Sequence, residues 1–115
     1  IGVTAVICAS LYIARKVLAL NTKMEVHLST QQSTLNHLAV KFYEDLGIKR
    51  VVLGRELSMQ EIADVTKHSS IDIEAFIHGG MCSNYSGRCT LSNFMTLRDA
   101  KRGGCAQSCR WSYTV

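Results

Sequence analysis

Four of the five cysteines fall in one stretch, at Cys82, Cys89, Cys105 and Cys109, with six, fifteen and three residues between them. Thiolates grouped in this way act as metal ligands, as nucleophiles or as halves of disulfides. The opening residues carry no basic leader and no small-residue cleavage site, so a secreted disulfide framework is disfavoured. Structural zinc prefers cysteine pairs with about two to four residues between them, and only Cys105 and Cys109 provide one. An iron–sulfur cluster accepts wider spacing and loop-borne ligands, and nearby cations offset its negative charge. Spacing alone therefore ranks iron–sulfur narrowly ahead of zinc and leaves both open. A cysteine nucleophile needs a neighbouring base, and His78 stands four residues before Cys82. Cys8 lies apart in an apolar run and reads as an inert core residue.

The cations gather beside the cysteines. Residues 1–81 contain eight Lys/Arg and eight Asp/Glu, whereas residues 82–115 contain five cations against Asp99 alone. The whole net charge of +4 thus sits in the last 34 residues. Such a patch suits an anionic partner, either nucleic acid or an anionic cluster, and equally suits a solvated loop.

Positioning these residues falls to an alternation of strands and helices. Val3–Cys8, Met24–Leu28, Val51–Leu53 and Ile71–Ile77 read as strands, the last from its period-two alternation. Ser10 is a cap for a first helix with Leu11, Ala14 and Leu18 on one face, ended by Asn21. Ser29 and Thr30 are cap candidates for a second helix, with Leu35, Leu38, Ala39, Phe42 and Leu46 at helical spacing and Gly47 as its stop. Ser58 and Glu61 make a capping-box signal for a third, with Ile62 and Val65 inward. Strand–helix alternation of this period means parallel βαβ units, in a doubly wound sheet or a (β/α)8 barrel. No Gly-x-Gly-x-x-Gly follows the first strand, which weakens a dinucleotide-binding reading. The expected fold is α/β: residues 1–81 as part of a (β/α)8 barrel with about four βα units, and residues 82–115 as a loop-rich, basic cysteine module with one short helix near Leu91–Leu97.

In such folds the active rim lies at the carboxyl ends of the strands. Those ends carry His27, Ser29, Thr30 and Gln31, then Arg55 and Glu56, then His78. Each has an ordinary alternative: a helix cap, a solvated ion pair, a hydrogen-bonded structural histidine. Three such clusters at successive strand ends argue for a shared pocket.

The 115 residues are 47% hydrophobic and 19% charged, with a mean hydropathy of +0.08. That composition excludes a disordered tail, and no run of about 18 apolar residues offers a membrane span. The sequence has no initiator Met and is expected to be a segment of a longer chain. Half a barrel leaves open sheet edges and unburied apolar faces, so self-association is expected of the isolated segment.

The run Glu74-Ala75-Phe76-Ile77-His78-Gly79-Gly80-Met81-Cys82, continued through Gly87, Cys89, Leu91 and Ser92, resembles the signature of the collagenase-like peptidase family (peptidase family U-thirty-two). Gly80 stands where that family usually has Ser or Ala. The likeness extends through His27–Gln31, Arg55–Ser58, Leu97–Ala100 and Gly104–Trp111, where Ser108 replaces a frequent Pro. The resemblance implies a (β/α)8-type fold and a family named for protease activity. Several members belong to oxygen-independent hydroxylation of tRNA wobble uridine, ribosomal RNA cytidine or ubiquinone. It further implies a [4Fe–4S] cluster, with Cys82, Cys89 and Cys105 matching three ligands. Cys109 is a bystander, a substitute or a subfamily ligand. Arg98-Asp99-Ala100 and the Cys105–Trp111 run look most like the tRNA-hydroxylation branch. Under that reading the partner is RNA, beside a related protein or a second copy, in the bacterial cytoplasm. Its candidate catalytic residues are His27, Glu56 and His78. Its substrate-binding candidates are Gln31, Arg55, Arg88 and Arg98, with Trp111 and Tyr113 available to stack on a base or to pack in a core. The alternatives are a collagenase-like peptidase, and a non-catalytic zinc or interaction module.

Overall fold

A computed structural model describes residues 2–20 and 23–114. Four short strands, β1 (Ala5–Cys8), β2 (Glu25–Leu28), β3 (Arg50–Val52) and β4 (Asp72–Glu74), alternate with helices α1 (Leu11–Ala19), α2 (His37–Asp45) and α3 (Met59–Lys67). The sheet is wholly parallel, and its spatial order β1-β2-β3-β4 is the order of the sequence. The order never reverses, so these strands form no topological switch point of the doubly wound kind.

The pleat sorts side chains onto two unlike faces. Val26 and Leu28 of β2 and Val51 of β3 join Cys8, Ala14, Val40, Tyr43, Ile48, Leu53 and Val65 in one buried cluster under the three helices. The opposite face mixes charged residues with Ile7 and the buried Val52 and carries no helix of this layer. Register aligns His27 with Arg50 and Arg50 with Asp72 there. Arg50 donates to Asp72 at 2.7 Å and reaches Glu74 at 3.7 Å, while His27 meets Glu25 at 2.9 Å.

Local signals set most helix ends. Ser58 and Glu61 form the full capping box that starts α3. Gly47, at φ +93°, takes the left-handed turn that stops α2. The expected end of α1 at Asn21 lies outside the described residues; α1 itself closes at Ala19.

Three expectations are corrected. Asn36, not Ser29 or Thr30, caps α2, by accepting from the Ala39 N–H at 2.9 Å. Ser29 instead caps a single 3-10 turn, Thr30–Gln32. The buried face of α2 is Val40 and Tyr43, whereas Leu38 and Phe42 are exposed. β4 ends at Glu74, not Ile77. Its neighbour β3 stops at Val52 and turns away at Arg55–Glu56, so Ala75–Ile77 keep the alternation but have no ladder to join.

From Gly79 onward, regular structure shrinks to α4 (Leu91–Thr96) and two 3-10 turns, Ala100–Arg102 and Ser108–Arg110. No helix among the described residues is long and apolar enough to cross a membrane. Removing the α3 cap by Ser58→Ala is expected to lower stability by about 1 kcal/mol in urea unfolding; an unchanged midpoint would show that α3 is held by packing alone.

Candidate cysteine site at the strand ends

The cysteine segment is tied to the carboxyl ends of β2 and β3 through one buried residue, Ser86. Its hydroxyl accepts from the Arg55 backbone N–H and Nε, both at 3.3 Å, and stands 3.4 Å from Thr30 Oγ1. Its own N–H donates to Glu56 Oε1 at 2.6 Å. Thr30 Oγ1 also donates to the Leu53 carbonyl at 2.8 Å, so the ends of both strands enter the same knot. Arg55 continues outward. Its Nη2 donates to the Asn84 carbonyl at 2.7 Å and its Nη1 to the Cys82 carbonyl. Gly87 closes the joint at φ +68°, where an added Cβ would stand 1.9 Å from the Gln31 carbonyl oxygen. No other residue fits there.

Partial burial raises the Glu56 carboxyl. Hydrogen bonds from the Ser86 N–H, its own N–H and the Ser86 hydroxyl, with the Arg55 charge, outweigh that and hold it below its ordinary value. Glu56 is thus a fixed anion that anchors the segment rather than an acid poised to give up a proton.

Above this joint lies a cavity of about 340 Å³. Cys82, Cys89, Cys105 and Cys109 all line it, together with Thr30, Gln31, Arg55, Phe76 and His78 from the strand ends. All four thiols are free. The Gln107 N–H, on a residue at φ +54°, points at Cys105 Sγ from 3.4 Å. Ser108 also lines the cavity, and its buried hydroxyl has no hydrogen-bond partner. Soft donors, an N–H aimed at sulfur and an unpaired buried hydroxyl are a donor set suited to a thiolate-held metal group. Cys8, by contrast, is buried in the core, and desolvation pushes its thiol up, as expected of an inert residue.

The structure thus brings Gln31, Arg55, His78 and the four cysteines together, and leaves the other candidates elsewhere. His27 sits within β2 on the helix-free sheet face, paired with Glu25 and away from the cavity lining. Arg88 lines a smaller depression of about 280 Å³ with Ser10, Gln31, Gln32 and Lys101. Arg98 is exposed beyond α4, where its backbone carbonyl takes the Ser92 hydroxyl at 2.8 Å. Trp111 and Tyr113 pack in no core; Tyr113 donates to the Ser108 carbonyl at 2.6 Å. The sequence assigned no role to Ser86, Ser92 or Ser108. A serine between two cysteines looks like solvated loop, and only its burial reveals its role.

The family description Peptidase family U32 matches residues 1–115. The chain belongs to this family. Over 92 residues, 80% of its length, it is 59% identical to tRNA hydroxylation protein P1 of Bacillus subtilis (strain 168), covering 22% of that protein. It is 41% identical over 92 residues, again 80% of its length, to a 23S rRNA 5-hydroxycytidine synthase of Escherichia coli (strain K12), covering 14% of it. It is 40% identical over 103 residues to a collagenase of Porphyromonas gingivalis (strain ATCC BAA-308 / W83), an alignment spanning 80% of this chain and 25% of that one. The chain therefore spans about a quarter or less of these family members. No solved structure matches it.

Two outcomes follow from the Ser86 joint. Gly87→Ala is expected to loosen the cysteine segment while sparing the sheet, read as faster amide exchange across residues 82–110 with β2 and β3 still protected. For Glu56, the lowered folded-state value means its contribution is complete above the unfolded carboxylate value of about 4.3 and fades as pH falls through the folded one. Exchange protection at Ser86 should therefore drop on acidification below that range. Glu56→Gln should weaken it at neutral pH and remove that acid dependence; an identical pH profile in the variant would overturn this account.

Proposed function

We propose that this chain supplies strand ends and a cysteine site to a cytoplasmic oxidoreductase that hydroxylates a pyrimidine base in RNA, tRNA being the RNA that the relatives' names favour and a uridine the base that the family resemblance implies. The observation that carries the reading is that all four free cysteines of the segment line one cavity walled by the strand ends. In this reading Cys82, Cys89 and Cys105 hold a [4Fe–4S] cluster, with Cys109 on the same cavity as a further donor. When bound, such a cluster supplies electron transfer beside the substrate.

The chain's own residues divide the remaining work. Arg55 is a positioning residue, because its guanidinium is occupied by the carbonyls of Cys82 and Asn84 and by Ser86. Gln31 and the exposed Phe76 face the base, one by hydrogen bonding and one by stacking. His78 holds or moves a proton at a ring nitrogen. Arg88 and Lys101 flank the adjoining depression, where a phosphate of the RNA backbone finds two cations.

The unreversed strand order and the one-sided helix layer support a (β/α)8 arc for residues 1–81, with residues 82–115 as the cysteine module. The edge strands β1 and β4 then meet further barrel strands, a related protein or a second copy.

A peptidase reading has the family's description and the collagenase relative behind it. It requires Cys82 as nucleophile and His78 as base. Both line the cavity, yet no hydrogen bond joins them among the described residues. Metal analysis separates the two readings. Protein purified anaerobically should carry about four iron and four acid-labile sulfide per chain, lost in Cys82→Ala. One zinc would overturn the cluster in favour of a zinc or interaction module, and no metal would overturn it and reopen Cys82 as nucleophile.

A further inference from the structure

A second ligand set lies outside the cavity, where α2 meets α3. His37 is the first residue of α2, Asp64 lies in the last turns of α3, and His68 is the C-cap of α3. Asp64 and His68 are four apart, which puts them on one helix face, and the contact between the helices brings His37 to them. One donor atom from each of the three lies within 4.8 Å of the others. His37 Nδ1 is 3.1 Å from Asp64 Oδ2, and His68 Nδ1 is 3.3 Å from Asp64 Oδ1 and 2.8 Å from the Asp64 carbonyl oxygen. A tetrahedral zinc with bonds of about 2.0 Å spaces its ligands about 3.3 Å apart. The two imidazoles lie 4.9 Å apart between centroids.

The surroundings favour a cation. Among the described residues no Lys or Arg pairs with Asp64; its side chain meets only the two imidazoles. Two nitrogens and one oxygen form a borderline donor set that suits late first-row divalent ions, zinc foremost, with water completing the shell.

We propose that His37, Asp64 and His68 form a surface site for Zn²⁺ that fastens the start of α2 to the end of α3. The site is independent of the thiols and of the function proposed above. The metal takes the lone pair of each Nδ1, the single ring proton standing on Nε2; His68 gives up its Nδ1 contact with the Asp64 carbonyl, and α2 and α3 are left cross-linked behind β2 and β3. No redox step is involved.

The test is a Co²⁺ titration of the full-length protein, followed by displacement with Zn²⁺. Thiolate ligation gives an intense near-ultraviolet charge-transfer band, whereas an imidazole–carboxylate site gives only weak visible bands. One equivalent of the second kind is expected, displaced by Zn²⁺ and bound at least tenfold more weakly in both His37→Ala and His68→Ala. Zn²⁺ should also raise the melting temperature of the wild type but not of these variants. A measurement on the wild type alone guards against misfolded variants: Zn²⁺ should protect His37 and His68 from diethyl pyrocarbonate, mapped by mass spectrometry. Thiolate bands alone, unchanged affinity in both variants, or unprotected histidines would each overturn the proposal.

Discussion

One buried hydroxyl governs how this molecule is put together. Ser86 belongs to the cysteine segment by sequence, yet its partners Thr30, Arg55 and Glu56 belong to the ends of β2 and β3. An ordinary hydrogen bond contributes only about 0.5–1.5 kcal/mol net, but a buried polar group left without its partner costs about 1–3 kcal/mol. Removing the Ser86 hydroxyl would strand the Arg55 N–H and Nε together, while the Ser86 backbone N–H keeps its bond to Glu56. Gly87 makes the same point sterically. The chain passes so close to the Gln31 carbonyl that the joint closes only when the residue after Ser86 has no side chain. Everything beyond Gly79 takes its place relative to the sheet from this contact.

The repeating elements were legible because their signals are local. β-branched runs, the Ser58–Glu61 box and Gly47 act within a few residues, and each does what its chemistry requires. What was not legible depends on distant partners. Nothing in Leu35, Leu38 and Phe42 reveals that the helix layer covers Val40 and Tyr43 instead; the face an amphipathic helix buries is decided by where the sheet lies. Ile71–Ile77 alternates throughout, yet a strand exists only as far as a neighbour runs beside it. The same limit applied to the site. Four cysteines and His78 pointed to one place by type and proximity in the sequence, and the cavity unites them. His27 was read onto the rim from its neighbours in sequence. The pleat turns it to the helix-free face, opposite Val26 and Leu28, while Thr30 and Gln31, past the strand end, reach the cavity.

The cysteines themselves are held in an unusual way for a packed protein. Cys82, Cys105 and Cys109 are exposed, and no apolar core supports them. Their backbone is fixed by polar ties: Arg55 to the carbonyls of Cys82 and Asn84, Ser92 to the Arg98 carbonyl and the Ala106 N–H, Arg110 to the Met81 carbonyl. Two residues of the segment, Leu97 and Gln107, sit in the left-handed region without being glycine. Such conformations cost on the order of 1–3 kcal/mol each and persist where surrounding structure or a bound group offsets them. Around Gln107 the strain has a visible product, since it directs an N–H at Cys105 Sγ. A segment with few apolar contacts, strained turns and four cysteines on one cavity would gain much of its order from a group held by those cysteines. In the proposed cluster reading, ligand binding and ordering of residues 82–110 are one equilibrium, and the Ser86 joint sets where it acts: at the mouth of the strand ends.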